Sequence, residues 1–264
     1  MLIIVKGKLM QITHVRNATM LIEAGGMRIL VDPMLGAKGS GAAAPTVADN
    51  KSRNPLVDLK TPLAQLLDVD AVIVTHSHPD HWDEAAASLL SRELPIIVQN
   101  GSDAQMLGEI GFTNAIIMDG PVTLGQATVT RTDGQHGPDA FMAENPYMGS
   151  VSGFVLQVPG EPTLYVAGDT VWHAGVVSAL DEYRPDVVVL NTGEATWISG
   201  DAIIMGAEDV LRVHEALPSA QLITVHMEAL NHCVVTRAQV RDLASEHGIA
   251  DLVHVPADGE TMTF

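Results

Sequence analysis

The sequence predicts an α/β (α+β) fold folded as one domain over residues 1–264. Three observations carry that expectation. Short, β-branched apolar runs recur along the chain and stop at Gly, Pro, Asp or His. Strand patterns come first and then alternate with helical patterns, once in each half of the chain. Apolar residues make up 47% of 264 residues, enough for the sizeable core of one α/β domain. No repeat with a period of 20–50 residues interrupts this order.

Met10–Val15, Thr19–Glu23 and Met27–Val31 read as three strands, the last two joined by a turn at Gly25-Gly26. Asp32-Pro33 ends that run. Met34–Lys60 is rich in Gly, Ala, Pro and Asn without a period, which suggests a mobile flap. Leu63–Leu67 reads as a short helix and Ala71–Thr75 as a strand buried on both faces. Asp83–Leu94 reads as a helix with Ala85, Ala86, Leu89 and Leu90 on one face, followed by a strand over Pro95–Gln99. Ser102 is placed to cap a helix that Gly111 stops. Strands follow at Ala115–Met118 and Pro121–Thr132. Gly137–Ser150 carries Phe141, Met142, Tyr147 and Met148 without helical spacing, either as core beneath a loop or as a pocket wall.

Val151–Val158 and Thr163–Ala167 form a predicted hairpin, Val171–Leu180 a helix and Asp186–Asn191 a buried strand. Ala207–Leu217 is a helix with Val210, His214 and Leu217 inward, and His214 reads as structural. Leu222–Val225 is a strand. Thr236-x-x-Gln239 is a capping box for a helix that ends at Gly248, and Asp251–Val255 reads as the last strand.

The chemistry concentrates in Val72–Asp83, VIVTHSHPDHWD. A buried strand stops at His76, and six residues then supply His76, His78, Asp80 and His81 around Pro79. Neutral imidazoles with a carboxylate suit Zn²⁺ and other borderline divalent ions. Residues two apart in an extended segment point to one side, so His76 and His78 can reach one ion. Asp80 and His81, past the turn, can face a second position. A histidine-rich exposed loop is the bland alternative, and the position at a buried strand's end argues against it.

His76-x-His78-x-Asp80-His81 after an apolar strand resembles the signature of the metallo-β-lactamase superfamily. That family adds a third His, a bridging Asp and a last His, each after a strand. His136 in TDGQHGPD, Asp169 in TLYVAGDT and His226 in LITVHMEA supply them in that order, over nearly the whole chain. The opening RNATMLIEAGGMRILVDP is most similar to the branch of small cytoplasmic hydrolases that includes ascorbate-6-phosphate lactonase.

The resemblance implies a four-layer αββα sandwich with metals at one edge of two facing sheets. It implies His76, His78 and His136 on one ion, Asp80, His81 and His226 on the other, and Asp169 between them. It also implies that Asp32 lies beneath the site as support. Two divalent ions are expected, Zn²⁺ first, with Mn²⁺ or Fe²⁺ as alternatives. Bound cations lower the pKa of water from 15.7 to about 7, which supplies hydroxide for hydrolysis. Asp80 is expected to double as general base, and Asn231 and His232 to join the chemistry from the loop after His226. Glu228 and His173 are weaker candidates. Cys233 reads as a small buried residue. His78, where the oxygen-reducing di-iron branch carries Glu, argues against that redox role.

The expected activity is hydrolysis of a small cytoplasmic substrate, a lactone or ester first. A phosphodiesterase is the alternative on the same site, and a non-catalytic metal-binding or sensing protein the alternative of another class. The net charge of −18 repels phosphate backbones, so no nucleic-acid partner is expected. No run approaches the ~20 apolar residues of a membrane span, so no membrane partner is expected. The opening MLIIVKGKLM has too short an apolar run for a secretory signal. One cysteine leaves no internal disulfide and suits a cytoplasmic location. The expected partners are a small-molecule substrate and further copies of the chain in a homo-oligomer.

Overall fold

The computed structural model describes residues 9–264. Residues 1–8 of the opening stretch, read above as too short for a secretory signal, lie outside the described residues. The first half runs β1 (Gln11–Arg16), β2 (Thr19–Ala24), β3 (Met27–Val31), α1 (Leu63–Leu67), β4 (Ala71–Val74), α2 (Glu84–Leu89), β5 (Ile96–Val98), α3 (Gly101–Glu109) and β6 (Ala115–Ile117). The second half runs β7 (Val122–Leu124), β8 (Ala127–Asp133), α4 (Asp139–Glu144), β9 (Ser152–Gln157), β10 (Leu164–Val166), α5 (Ala174–Tyr183), β11 (Val187–Asn191), α6 (Ala207–Ala216), β12 (Gln221–Val225), α7 (Arg237–Glu246), β13 (Val253–His254) and β14 (Thr261–Thr263).

Among the described residues two seven-stranded mixed sheets result, in the orders β14-β1-β2-β3-β4-β5-β6 and β13-β12-β11-β10-β9-β8-β7. In the first, β14, β1, β2 and β3 pair antiparallel and β3 to β6 parallel. The second repeats that plan, with β7 to β10 antiparallel and β10 to β13 parallel. Tight turns join β1 to β2, β2 to β3 and β7 to β8, whereas the parallel neighbours are joined through crossover helices.

The two sheets pack face to face. Ile12, Ile22, Ile29 and Ile73 of one meet Val129, Phe154, Leu156 and Val189 of the other in one buried cluster. On the outer face of the second sheet, Val188, Leu190 and Leu222 pack under Val176 of α5, Val213 of α6 and Val240 of α7. On the outer face of the first, Leu30, Val72 and Ile96 pack under Leu66 of α1, Ala86 of α2 and Leu107 of α3. These are the four layers of an αββα sandwich, as the resemblance implied. β4 and β11, buried at every position, read as continuous apolar runs because helices and the facing sheet cover both their faces.

Several boundaries differ from the sequence reading. The helix after the motif ends at Leu89, not Leu94, because Leu90 is already extended and Arg92 hydrogen-bonds the Ala87 carbonyl. Asn100, not Ser102, caps α3, its side chain accepting from Asp103 N at 2.9 Å. The single strand expected over Pro121–Thr132 is a hairpin, β7 and β8, turned at Gly125 with φ +60. The helix read as Val171–Leu180 starts later, at Ala174, where His173 caps it. Gly137–Ser150 contains α4 and a 3₁₀ turn at Pro146–Met148, short elements that leave no detectable period. The last strand is β14 rather than Asp251–Val255. Its TMT alternates exposed and buried at the sheet edge beside β1.

Candidate metal centre

The candidate ligands meet at the edge where the parallel strands end. β4 delivers His76, β10 delivers Asp169 and β12 delivers His226, while β8 leads to His136. Ligand atoms of His76, His78 and His136 lie within 4.8 Å of one another, and so do those of Asp80, His81, Asp169 and His226. Asp169 faces both groups. Its Oδ2 is 4.0 Å from His76 Nε2, 3.9 Å from His136 Nε2 and 3.2 Å from His81 Nε2, and its Oδ1 is 3.5 Å from His226 Nε2. Asp80 Oδ2 lies 3.2 Å from His226 Nε2 and 3.6 Å from His81 Nε2.

Outer contacts fix which ring nitrogen faces inward. A carbonyl or carboxylate only accepts, so the imidazole nitrogen bonded to it carries the proton. His81 Nδ1 donates to Asp32 Oδ2 at 2.8 Å, and His136 Nδ1 donates to the Ile203 carbonyl at 2.9 Å. Thr75 Oγ1 donates to Asp32 Oδ2 at 2.8 Å and so accepts from His76 Nδ1 at 3.1 Å. Each of these rings points its Nε2 inward, the atom that offers a lone pair when the ring is neutral. His78 is reversed: its Nε2 donates to the Met148 carbonyl at 3.0 Å, which leaves Nδ1 as the inward atom. Asp32, buried and expected beneath the site, is the hub of this support, with Thr75 N also donating to its Oδ1 at 2.7 Å. His226 Nδ1 instead lies 3.5 Å from Cys233 Sγ.

This donor set fits a divalent cation. His76 Nε2 is buried and has no hydrogen-bond partner among the described residues. Leaving such an atom unpaired costs about 1–3 kcal/mol, and a cation satisfies a lone pair that no nearby donor reaches. The local strain points the same way. Asp32 (φ +45) and His226 (φ +63) hold left-handed backbone that side chains disfavour, as functional sites often do. Gly193, after β11, lets the His226 main chain pass close by: a Cβ there would lie 2.0 Å from the His226 carbonyl.

Charge divides the centre. Burial, with the neighbouring imidazoles, pushes His76 well below its ordinary value, and burial lowers His136 to about 4. Burial acts the same way on His81 and His226, but the carboxylates led by Asp169 overcome it and hold both well above that value. Asp80 and Asp169 are held well below the usual carboxylate range, because His81 and His226 outweigh the burial that opposes ionisation. His76 and His136 are therefore held neutral, while His81 and His226 face the carboxylates as ion pairs.

A cavity of about 410 Å³ opens onto His78, Asp80, His136 and Asp169. Both aperiodic loops form its walls: Met34, Gly41 to Pro45 and Asn54 from one, Tyr147 and Met148 from the other. Trp197, Ile203, Leu230 and His232 complete it. Phe141 and Met142 do not line it; Phe141 is buried against Met148, Ala195 and Ile203, with Met142 packed beside that cluster. Residues 34–60 are not a loose flap. Buried Arg16 donates to the carbonyls of Met34, Gly36 and Val57 at 2.6, 2.9 and 3.1 Å.

The remaining candidates separate. His232 is buried in the cavity wall, with Nδ1 unpartnered and burial lowering its pKa. Asn231 does not line the cavity, and its amide is fully engaged with the 34–60 segment. Glu228 pairs with Arg237 at 2.8 Å. His173 lines a separate groove of about 680 Å³ that includes none of the candidate ligands. The Met148 and Ile203 carbonyls had no sequence signal, since any residue supplies a carbonyl; Cys233, read as a small buried residue, is half-buried beside His226.

The comparisons agree with this geometry. The family model described as the beta-lactamase superfamily domain matches residues 27–227. The UPF0173 protein YddR of Bacillus subtilis is 38% identical over 256 residues, covering 97% of this chain and all of that protein (100%). An isothiocyanate hydrolase from Delia radicum gut bacteria has a TM-score of 0.93 at 42% identity, covering 97% of this chain and 99% of that one. A possible metal-dependent hydrolase from Veillonella parvula has a TM-score of 0.94 at 36% identity, covering 97% and 100%. With a sandwich of this topology and a buried His/Asp cluster at its edge, the chain belongs to the metallo-β-lactamase superfamily of metal-dependent hydrolases.

Proposed function

We propose that the chain is a binuclear hydrolase of small, neutral, electrophilic carbon compounds with an apolar substituent. One observation carries this: two adjacent ligand groups, with Asp169 of one within 4.0 Å of His76 and His136 of the other, present His78, Asp80, His136 and Asp169 to a cavity walled by Met34, Ala42 to Pro45, Tyr147, Met148, Trp197 and Leu230. In this reading His76, His78 and His136 hold one ion, Asp80, His81 and His226 the other, and Asp169 lies between them. Zn²⁺ suits the imidazole-rich set, with Mn²⁺ or Fe²⁺ able to replace it. When bound, the ions supply a water whose pKa falls from 15.7 to about 7 and polarise the group under attack.

The chain's own residues do the rest. Asp80, with a side chain 20% exposed against 4% for Asp169, is the carboxylate best placed to take a proton from the cavity side. His232, held neutral by burial, offers one donor and one acceptor to a substrate heteroatom. The apolar walls bind the substituent and exclude water. Asp32 and the carbonyls of Ile203 and Met148 hold the imidazoles in register.

The substrate class follows from the walls and the relatives. Isothiocyanates come first, since a 42%-identical structure bears that activity in its name and an isothiocyanate carbon accepts water as a carbonyl carbon does. Lactones and small esters are the second reading, because the same walls accommodate an apolar acyl group. The phosphodiester reading and a phosphorylated lactone are less well supported. Among the described residues that line the cavity there is no lysine or arginine to meet a phosphate. The single free cysteine, Cys233, accords with a reducing cytoplasmic setting.

Metal-reconstituted protein should carry two ions per chain by elemental analysis and hydrolyse isothiocyanates in a panel that also holds lactones, esters and phosphodiesters. One ion or none would sink the binuclear reading, and turnover confined to phosphodiesters would sink the substrate class.

A further inference from the structure

Asn231 sits five residues after His226 and is 2% exposed. Its Oδ1 accepts from Ala44 N at 2.8 Å and from Asn54 Nδ2 at 2.9 Å. Its Nδ2 donates to the Ala44 carbonyl at 3.0 Å and the Asn50 carbonyl at 2.9 Å. An asparagine amide has two donor hydrogens and two acceptor lone pairs, and all four are used. Nothing remains for a substrate or a proton, so the amide is not part of the chemistry.

The use it is put to is specific. Asn231 presents its C=O and NH₂ to the N–H and C=O of one residue, Ala44, as the edge of a neighbouring strand would. Its main-chain N–H donates to Asn54 Oδ1 at 2.9 Å, and Leu56 N donates to the Ala229 carbonyl at 2.7 Å. Ala44 lies in the middle of the wall formed by Gly41 to Pro45. Asn231 itself lies between Leu230 and His232, which form another part of the cavity. Arg16 fixes both ends of the 34–60 segment through Met34, Gly36 and Val57. Its middle is tied to the loop that begins at His226.

We propose that Asn231 is a positioning residue that fixes the 41–45 wall against the His226 loop, and so sets the cavity's width and its selectivity among substrates. The wall is then a preformed surface rather than a lid. Only a side chain with paired donor and acceptor, at this reach, makes the set: aspartate lacks the donors, and alanine lacks both. The selectivity half rests on the hydrolase reading above, while the clamp itself does not.

The test compares the native protein with Asn231→Ala and with Asn54→Ala, which releases the clamp from the other side and leaves the Ala44 bonds in place. Hydrogen exchange by mass spectrometry, metal content and kinetics are read on the same samples. In Asn231→Ala, exchange over residues 41–56 should rise roughly tenfold or more, while β11 and β12 keep native protection. Metal content should stay native. KM should rise roughly tenfold for substrates with bulky apolar groups and less for small ones, with kcat changed less than KM. Asn54→Ala should give a smaller change of the same pattern. Native exchange over 41–56 in both variants would overturn the proposal. So would loss of protection spread equally over β11 and β12, or loss of metal, since Asn231 would then support the fold or His226 rather than the wall. If no compound in the panel is hydrolysed, the hydrolase reading fails and the exchange pattern alone decides the clamp.

Discussion

Asp32→Asn isolates the outer support of the centre with almost no change in shape. Asp32 holds φ +45, a conformation asparagine tolerates, so the backbone is not newly strained. Its Oδ1 accepts from the Thr75 main-chain N–H at 2.7 Å, a donor that cannot reverse. The asparagine oxygen must therefore stay there, and the NH₂ takes the place of Oδ2. Two partners then meet a donor. The Thr75 hydroxyl can rotate and accept, and it still accepts from His76 Nδ1. His81 Nδ1, bonded to Oδ2 at 2.8 Å, can satisfy the new N–H only by losing its proton to Nε2. Nε2 is the inward atom, so its lone pair is no longer available for a cation. One hydrogen bond to a charged group, worth about 1.5–3 kcal/mol, is lost from the ligand-competent tautomer. At 1.4 kcal/mol per tenfold that is roughly a 10–100-fold loss of affinity, in the range found for such outer partners. The loss falls on the group of Asp80, His81, Asp169 and His226, while the group of His76, His78 and His136 keeps native affinity. Competition titration of chelator-treated protein against a metal-binding dye, fitted to two sites, measures both. Equal weakening of the two sites, or none, would refute the tautomer argument.

Metal uptake should also depend on pH differently at the two groups. His76 and His136 are lowered by burial, His136 to about 4, so they carry no proton to displace between about pH 8 and pH 6. His81 and His226 are raised by the carboxylates against burial, so a cation must displace their protons. Affinity at that group should fall as pH drops, by roughly tenfold per displaced proton per pH unit, and more steeply than at the group that holds His76 and His136; the same titration at several pH values checks the slopes, and equal slopes would count against the assignment. Phe141→Ala and Tyr147→Ala should behave oppositely. Phe141 is core, and its truncation should cost about 3–5 kcal/mol by denaturant unfolding. Tyr147 is 66% exposed on the cavity wall, so its loss should change stability by less than about 0.5 kcal/mol and mainly raise KM.

Local features, and the chemistry they imply, are written in the sequence. A run such as Ala71–Val74 is buried because it is apolar at every position, and caps such as Thr236 act over three residues. His76, His78, Asp80 and His81 share six residues, so they were legible as a candidate ligand set before any fold was known. The strand-end placement of His136, Asp169 and His226 was legible as well, since each follows an apolar run. Where each polar atom finds its partner is set by long-range packing. Asp169 faces both His groups because β10 pairs beside β11 and β9 in a register that no local pattern encodes. The inward nitrogen of His78 and of His136 is set by carbonyls of Met148 and Ile203, 70 and 67 residues away. Asn231 looked like a catalytic side chain because it neighbours His226, yet Ala44, 187 residues distant, takes its amide. Phe141 and Tyr147 sit six residues apart on one loop, one in the core and the other exposed on the wall. Apolar periodicity and capping are short-range and written in neighbouring residues. A hydrogen bond acts over about 3 Å, and which groups come that close is fixed only when the sheets have paired and packed.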